Sequence, residues 1–226
     1  MRIAETFYSI QGEGMLAGVP STFIRTSGCP LSCRWCDTPY ALRAQDGEGM
    51  TVPQIVEAIG AWPTRHVVIT GGEPMIQPEV VELTEVLAGR GLHITIETAG
   101  TVFRAVRCDL MSVSPKLSNS TPVDDARRAA EHEAHRLDVE CLGRLISAYD
   151  YQLKFVVQSA EDLVEVDRVW TQLGRPDPTR VLLMPEGTDR RTLRARARWL
   201  VALCKERGFR YGPRLHVELY GRRRGV

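Results

Sequence analysis

The chain has 226 residues, 43% hydrophobic and 25% charged, which suits one soluble globular domain with a sizeable core and excludes a disordered chain. Lys and Arg number 29 against 28 Asp and Glu, so a net charge of +1 gives no general pull toward nucleic acid or an anionic membrane. No apolar run approaches the roughly 20 residues of a membrane helix, and the polar start Met1-Arg2-Ile3-Ala4-Glu5-Thr6 argues against a signal peptide, so the cytoplasm is the expected compartment.

Along the chain, strands and helices alternate. Phe23 to Thr26 reads as a short strand ending at Ser27-Gly28. Val52 to Gly60 has helical spacing behind the cap candidate Thr51, with Pro53 in the first turn. Val67 to Thr70 is a buried strand closed by Gly71-Gly72, and Pro78 to Gly89 an amphipathic helix. His93 to Thr98 and Leu110 to Ser114 read as further strands. Tyr151 to Val157 and Val181 to Met184 are two more, flanking a helix over 160–173. Thr192 to Arg207 is the last long helix and Arg214 to Leu219 the last strand. This alternation predicts an α/β fold with a mainly parallel sheet. Six or seven strands in this length fall short of a closed eight-unit barrel of about 250 residues, so an incomplete TIM-type barrel is expected, as a single domain over 1–226.

The stretch 119–150 breaks the rhythm. It opens on the turn Asn119-Ser120-Thr121-Pro122, and Asp124 to Arg136 is nearly all charge, Ala and His, predicting a solvated helix with i,i+4 charge pairs inside a mobile insertion. The basic end Arg222-Arg223-Arg224-Gly225-Val226 reads as a solvated terminus.

Three of six cysteines lie close together, as Cys29-Pro-Leu-Ser-Cys33-Arg-Trp-Cys36. In a reducing compartment such a cluster binds metal or does redox chemistry. Three thiolates are one short of a closed tetrahedral zinc site, unless Cys108 is a distant fourth ligand. Three is the number that holds a 4Fe–4S cluster with one iron left open for a reactant. The loop follows a strand, which puts it on the C-terminal rim of the expected barrel, where sites are built. Thr70-Gly71-Gly72-Glu73-Pro74 lies one strand–helix–strand step later, and its glycines allow close approach of the backbone to a ligand. Glu97-Thr98 and Ser114-Pro115-Lys116 fall on the same rim; alone they would read as strand-end polar residues. Cys108, Cys141 and Cys204 read as buried structural thiols.

The spacing Cys-x3-Cys-x2-Cys with Gly-Gly-Glu-Pro resembles the radical S-adenosylmethionine (SAM) superfamily. The opening Glu5-Thr6-Phe7-Tyr8-Ser9-Ile10-Gln11-Gly12-Glu13-Gly14 is similar to that of the 7-carboxy-7-deazaguanine synthases, and the likeness continues in order through Phe23-Ile24-Arg25, Trp35-Cys36-Asp37-Thr38, Glu97-Thr98-Ala99-Gly100, Ser114-Pro115-Lys116 and His216. The resemblance implies that Cys29, Cys33 and Cys36 hold the cluster and that its open iron chelates SAM, which is cleaved to a 5′-deoxyadenosyl radical. It implies 6-carboxy-5,6,7,8-tetrahydropterin as substrate, hydrogen abstraction at C6, ring contraction, loss of ammonia, and 7-carboxy-7-deazaguanine as product. It implies Mg²⁺ on Thr38, a hydroxyl suited to a hard cation. SAM would meet Trp35, Cys36, Asp37, Gly72, Glu73, Ser114, Pro115, Lys116 and the loop Met184-Pro185-Glu186-Gly187; relatives often carry Gln where this chain has Met184. The substrate would meet Ile10, Gln11, Gly12, Glu13, Arg25, Thr70, Glu97, His216 and Val226. Gln11 and Glu13 suit the donor–acceptor edge of a pterin, and Arg25 suits its carboxylate through a bidentate pair. His216, on the expected last strand, would otherwise read as a structural hydrogen-bonded histidine. The resemblance further implies an outside electron donor such as a flavodoxin, and a homodimer. The competing readings are an activating protein of a glycyl-radical enzyme, with the same cysteine spacing, and a zinc-binding structural module.

Overall fold

The structure is a computed structural model that describes residues 1–221 and 223–226; Arg222, part of the basic end expected to be solvated, lies outside them. In chain order it contains β1 (Arg2–Ile10), β2 (Pro20–Thr26), β3 (Glu48–Gly49), α1 (Val52–Ile59), β4 (His66–Gly71), α2 (Val80–Gly89), β5 (His93–Thr98) and β6 (Leu110–Val113). There follow α3 (Ala126–His135), α4 (Val139–Ala148), β7 (Tyr151–Val157), α5 (Asp162–Gln172), β8 (Val181–Pro185), α6 (Arg190–Arg207), β9 (Arg210–Tyr211) and α7 (Leu215–Tyr220). Among the described residues the strands form one sheet in the order β3-β1-β2-β4-β5-β6-β7-β8-β9, parallel from β2 to β9, with β1 antiparallel to both β2 and β3. The sheet is open, as the partial barrel requires. Its two edges are strands of only two residues, which leaves little backbone for another chain to pair with.

Period-two alternation explains what each strand does. Ile24, Ile69, Ile96, Leu153 and Phe155 are fully buried in the core that the helices cover. Truncating one of them to Ala should cost about 2–5 kcal/mol. The positions between them, such as Thr70, Glu97 and Lys154, turn to the lumen and carry the polar groups.

Helix ends follow their caps. Thr51 and Gln54 form a capping box at α1, with Pro53 in the first turn. Asp138 accepts from the Cys141 amide at α4, and Asp189 from the Thr192 amide at α6. Gly208 closes α6 in the left-handed conformation at φ 70°.

Two sequence expectations change. The last element, 214–219, is not a strand: α7 is a short helix, and His216 lies on it. The alternation of Leu215, Val217 and Leu219 mimics a strand, but β9 already ends the sheet and only Val217 of the three is buried. The stretch 119–150 is packed, not loose. Its first helix shows the expected charge pairs, Arg127–Glu131 at 2.9 Å and Arg128–Asp124 at 3.5 Å. Its second, α4, buries Cys141, Leu142 and Leu145 and packs on β6 and β7 as their crossover helix. The run of charge in α3 hides this apolar face, which begins only at Val139.

Candidate active site

The C-terminal ends of the parallel strands open into one pocket. Cys29, Cys33 and Cys36 reach it from the loop after β2, Gly71-Gly72 from β4, Glu97-Thr98 from β5, Ser114 and Lys116 from β6, Lys154 from β7, and Met184 and Glu186 from β8. Glu13 enters from the β1–β2 turn, and Trp35, Asp37 and Thr38 from the cysteine loop.

The two sequence motifs are joined through the backbone. The Gly72 amide donates to the Thr26 carbonyl at 3.0 Å and the Glu73 amide to the Gly28 carbonyl at 2.8 Å. Gly71 has φ 131°, and a Cβ on Gly71 or Gly72 would collide with the main chain of Thr26 or Gly28. The glycine pair thus seats one loop under the other. Glu73 is fully buried, and its carboxylate accepts from Thr98 Oγ1 and the Ala99 amide, both at 2.8 Å, and from the Met75 amide at 3.1 Å. Its side chain thus joins the end of β4 to the end of β5.

The cysteine thiols suit a metal cluster. Burial pushes Cys29 up to about 12 and Cys33 up to about 11, and raises Cys36 as well; Lys116 opposes the shift at all three. Without metal they are thiols, and uptake of iron would release their protons. Cys108 cannot supply a fourth ligand. It sits just before β6, at the opposite end of a parallel sheet from the cysteine loop, with its Sγ directed to the Ile94 carbonyl at 3.7 Å. Cys141 and Cys204 are buried on α4 and α6. The site therefore offers three thiols and an open side, the donor set of a 4Fe–4S cluster with one free iron and not of a closed zinc site. Thr38 presents a hydroxyl on the same pocket, with Oγ1 3.7 Å from Cys36 Sγ, an oxygen that suits Mg²⁺.

Beside the thiols lies a buried charge network that sequence reading missed in part. Lys154 Nζ donates to Glu13 at 3.0 Å and Glu97 at 3.4 Å. Glu97 also accepts from Gln11 Nε2 at 3.2 Å and Thr70 Oγ1 at 2.9 Å. Arg214 Nε donates to Glu13 at 3.0 Å, NH1 to the Gly187 carbonyl at 2.7 Å, and NH2 to Asp37. Burial alone would push the Glu13 carboxyl up, yet Lys154, then Arg214 and His216, hold it well below the usual carboxylate range. Burial alone would lower Lys154, but Glu97 and Glu13 outweigh it and keep it charged. One ligand atom each from Glu13, Asp37 and His216 lie within 4.8 Å of one another, but the two carboxylates already hold the protein's own cations. Lys154 had a signal in the sequence: a charged residue at an inward position of an apolar strand. Arg214, in a short connection after Pro213, had none.

Gly12 accounts for part of the opening motif. Its carbonyl accepts from the Leu215 amide at 2.8 Å, and a Cβ there would run into the His216 ring. Gly14 lies against the Gln152 side chain, whose Oε1 accepts from the Met15 amide at 2.7 Å. Of the expected site residues, Ile10, Gln11, Gly12, Glu73, Pro115, Pro185, Gly187, His216 and Val226 lie outside the pocket lining. Arg25 does too, and its Nε is paired with Glu5 at 2.8 Å. Glu5 also accepts from Tyr40 at 2.8 Å and from Arg224 at 2.9 Å, which ties the basic end back to β1.

The model of the radical SAM superfamily matches residues 23–135. The chain is 44% identical to the 7-carboxy-7-deazaguanine synthase of Halobacterium salinarum, with 96% of this chain and 90% of that one covered. It is 46% identical to the protein of the same name from Rhodopirellula baltica, with 99% and 88% covered. A crystal structure of QueE from Escherichia coli superposes with a TM-score of 0.72 at 27% identity, over 93% of this chain and 92% of that one.

Proposed function

Because this chain belongs to the radical SAM superfamily and, within it, to the 7-carboxy-7-deazaguanine synthases, we propose that the pocket converts 6-carboxy-5,6,7,8-tetrahydropterin to 7-carboxy-7-deazaguanine with loss of ammonia. The observation that carries the reading is the meeting, in one pocket, of three clustered thiols and the Glu13–Lys154–Glu97 network. When bound, a 4Fe–4S cluster reduced by an outside donor would supply the electron, and SAM the hydrogen-abstracting radical.

The chain's own residues bind and orient. Cys29, Cys33 and Cys36 hold the cluster, and the Gly71-Gly72 backbone, Ser114, Lys116, Met184 and Glu186 line the space beside it for SAM. Glu13, Glu97, Gln11 and Thr70 present fixed acceptors and donors to the ring edge of the pterin, with Lys154 bridging the two carboxylates. Thr38 offers its hydroxyl to Mg²⁺ from the pocket lining, and His216 packs on Gly12 behind Glu13. Arg25 reaches a substrate carboxylate by exchanging its Glu5 partner.

The whole chain acts as one domain, in the cytoplasm, as a homodimer served by an electron donor such as a flavodoxin. The dimer and the donor rest on family membership. No helix among the described residues is long and apolar enough to cross a membrane. Activation of a glycyl-radical enzyme is the weaker alternative, since the relatives spanning 96% and 99% of the chain carry the synthase name. Anaerobic incubation of the reconstituted protein with SAM, reductant and carboxytetrahydropterin, followed by mass spectrometry, should yield 7-carboxy-7-deazaguanine. A loaded, SAM-cleaving protein that leaves the pterin untouched would overturn the reading.

A further inference from the structure

The main chain on both sides of the middle cysteine of the cluster loop is held by the stretch after β6. The amide before Cys33, on Ser32, donates to His132 Nδ1 at 3.2 Å, and the amide after it, on Arg34, donates to the Ser120 carbonyl at 2.8 Å. Trp35 Nε1 donates to the Asn119 carbonyl at 3.0 Å and to its Oδ1 at 3.1 Å. All three acceptor residues lie in the stretch 119–150 after β6, for which the sequence suggested no role.

His132 is 1% exposed and Ser120 is fully buried. A backbone amide can only donate, so Nδ1 of His132 must be the acceptor and Nε2 must carry the proton. Nε2 lies 2.9 Å from Ser120 Oγ, which donates in turn to the Leu117 carbonyl at 2.6 Å. The result is one directed chain from the Ser32 amide through imidazole and hydroxyl to the Leu117 carbonyl. Burial, which pushes the His132 imidazole below its ordinary value, agrees with a neutral ring. The support is itself anchored: Arg136, one turn on, donates to the Lys116 carbonyl at 2.9 Å and to Glu165 at 2.8 Å.

We propose that His132 is a positioning residue for the cluster, clamping the main chain beside Cys33 so that its thiol is presented in place before iron arrives. The proposal rests on the reading that Cys29, Cys33 and Cys36 hold the cluster. It gives α3 a function: its charged face meets solvent while its one buried side chain braces the metal loop.

The test compares the reconstituted parent with His132→Leu and His132→Gln. Gln can accept from the Ser32 amide and donate to Ser120, whereas Leu can do neither. Two readouts are taken: the rate at which a ferrous chelator strips iron from the loaded protein, and hydrogen exchange of the Ser32 amide in the cluster-free chain, with the Ile96 amide of β5 as reference. His132→Leu should lose iron roughly fivefold faster or more, with Ser32 exchange accelerated to match and Ile96 unchanged, as removal of one buried hydrogen bond implies. His132→Gln should recover most of both. Iron loss at the parent rate in His132→Leu, or equal acceleration at Ser32 and Ile96, overturns the proposal. If His132→Leu does not fold, Ser120→Ala leaves the Arg34 contact and removes the relay; it should accelerate Ser32 exchange, and an unchanged rate overturns the clamp. A parent that takes up no cluster overturns the reading of function instead, while Ser32 exchange in the cluster-free chain still decides the clamp.

Discussion

Lys154 stands between Glu13 and Glu97 with its ammonium 3.0 Å from one carboxylate and 3.4 Å from the other, and its side chain is 4% exposed. Removing a cation from between two buried acids leaves charge without a partner. Lys154→Met should therefore destabilise the fold by about 3–5 kcal/mol, the cost of breaking a buried ion pair from one side. It should also raise KM for the pterin, because Glu13 and Glu97 lose the ammonium that holds both side chains in place. Urea denaturation and steady-state kinetics check this, and a variant with parental stability and KM would refute the role.

The three loop thiols should behave as a unit and the other three cysteines should not. Cys29→Ala, Cys33→Ala or Cys36→Ala should each remove most of the visible absorbance of the cluster, since each thiolate holds one iron. Cys108→Ala, Cys141→Ala and Cys204→Ala should retain about four iron and four sulfide per chain. A full, stable cluster in Cys33→Ala would defeat the assignment.

Local chemistry was easiest to read from the sequence. Thr51 with Pro53, the apolar run Val67 to Ile69, and the cysteine spacing each depend on neighbours in the chain, and each element sits where its pattern placed it. Long-range closure was not readable. Arg214 meets Glu13 across 201 positions, and His132 meets Ser32 across 100. No local periodicity encodes such pairs. The short helix carrying His216 was misread because its apolar alternation fits a strand, and what decides otherwise is that β9 already completes the sheet. β1 was read only as a motif, because Ile3 is its one buried residue and the rest of the strand lacks a core-facing stripe.

Acidification should destabilise the cluster-free chain before the carboxylates held low by their partners protonate, opposed only by Glu73, whose carboxyl burial pushes up. Burial pushes His132 below its ordinary 6.5, opposed by Glu133 and aided by Arg136 and Lys116. Burial likewise lowers His216, against Glu13. A buried neutral histidine stabilises fully above the unfolded value, and that stability is lost as pH falls through the lower folded value, because the unfolded chain takes up the proton first. Glu5, Glu13, Glu133 and Glu165 are shifted below 4.5, so their contribution persists until the pH is lower still. The denaturation midpoint should thus fall between about pH 7 and pH 5, and His132→Gln should flatten that slope. A parent midpoint that is flat over this window would rule the account out.

Thr38 is the residue on which the Mg²⁺ reading can be tested. It follows Asp37 in the cysteine loop, lines the pocket beside Cys36, and its carbonyl accepts from the Ala41 amide at 2.9 Å as the turn before β3 begins. Its side chain makes no helix-capping hydrogen bond, so the hydroxyl is not committed to the turn. Mg²⁺ keeps several waters and needs only one or two protein oxygens, so one hydroxyl together with a substrate carboxylate suffices. Placement matters here, since a radical must take one hydrogen and spare its neighbour. Thr38→Ala should weaken the Mg²⁺ dependence of turnover while leaving cluster content and SAM binding as in the parent. Thr38→Ser keeps the oxygen and should keep most of the activity. Turnover measured across a Mg²⁺ titration separates this from a purely structural turn residue. A structural role would lower activity at every Mg²⁺ concentration alike, whereas a ligand role moves the midpoint of the titration. An unchanged midpoint in Thr38→Ala would place the metal elsewhere.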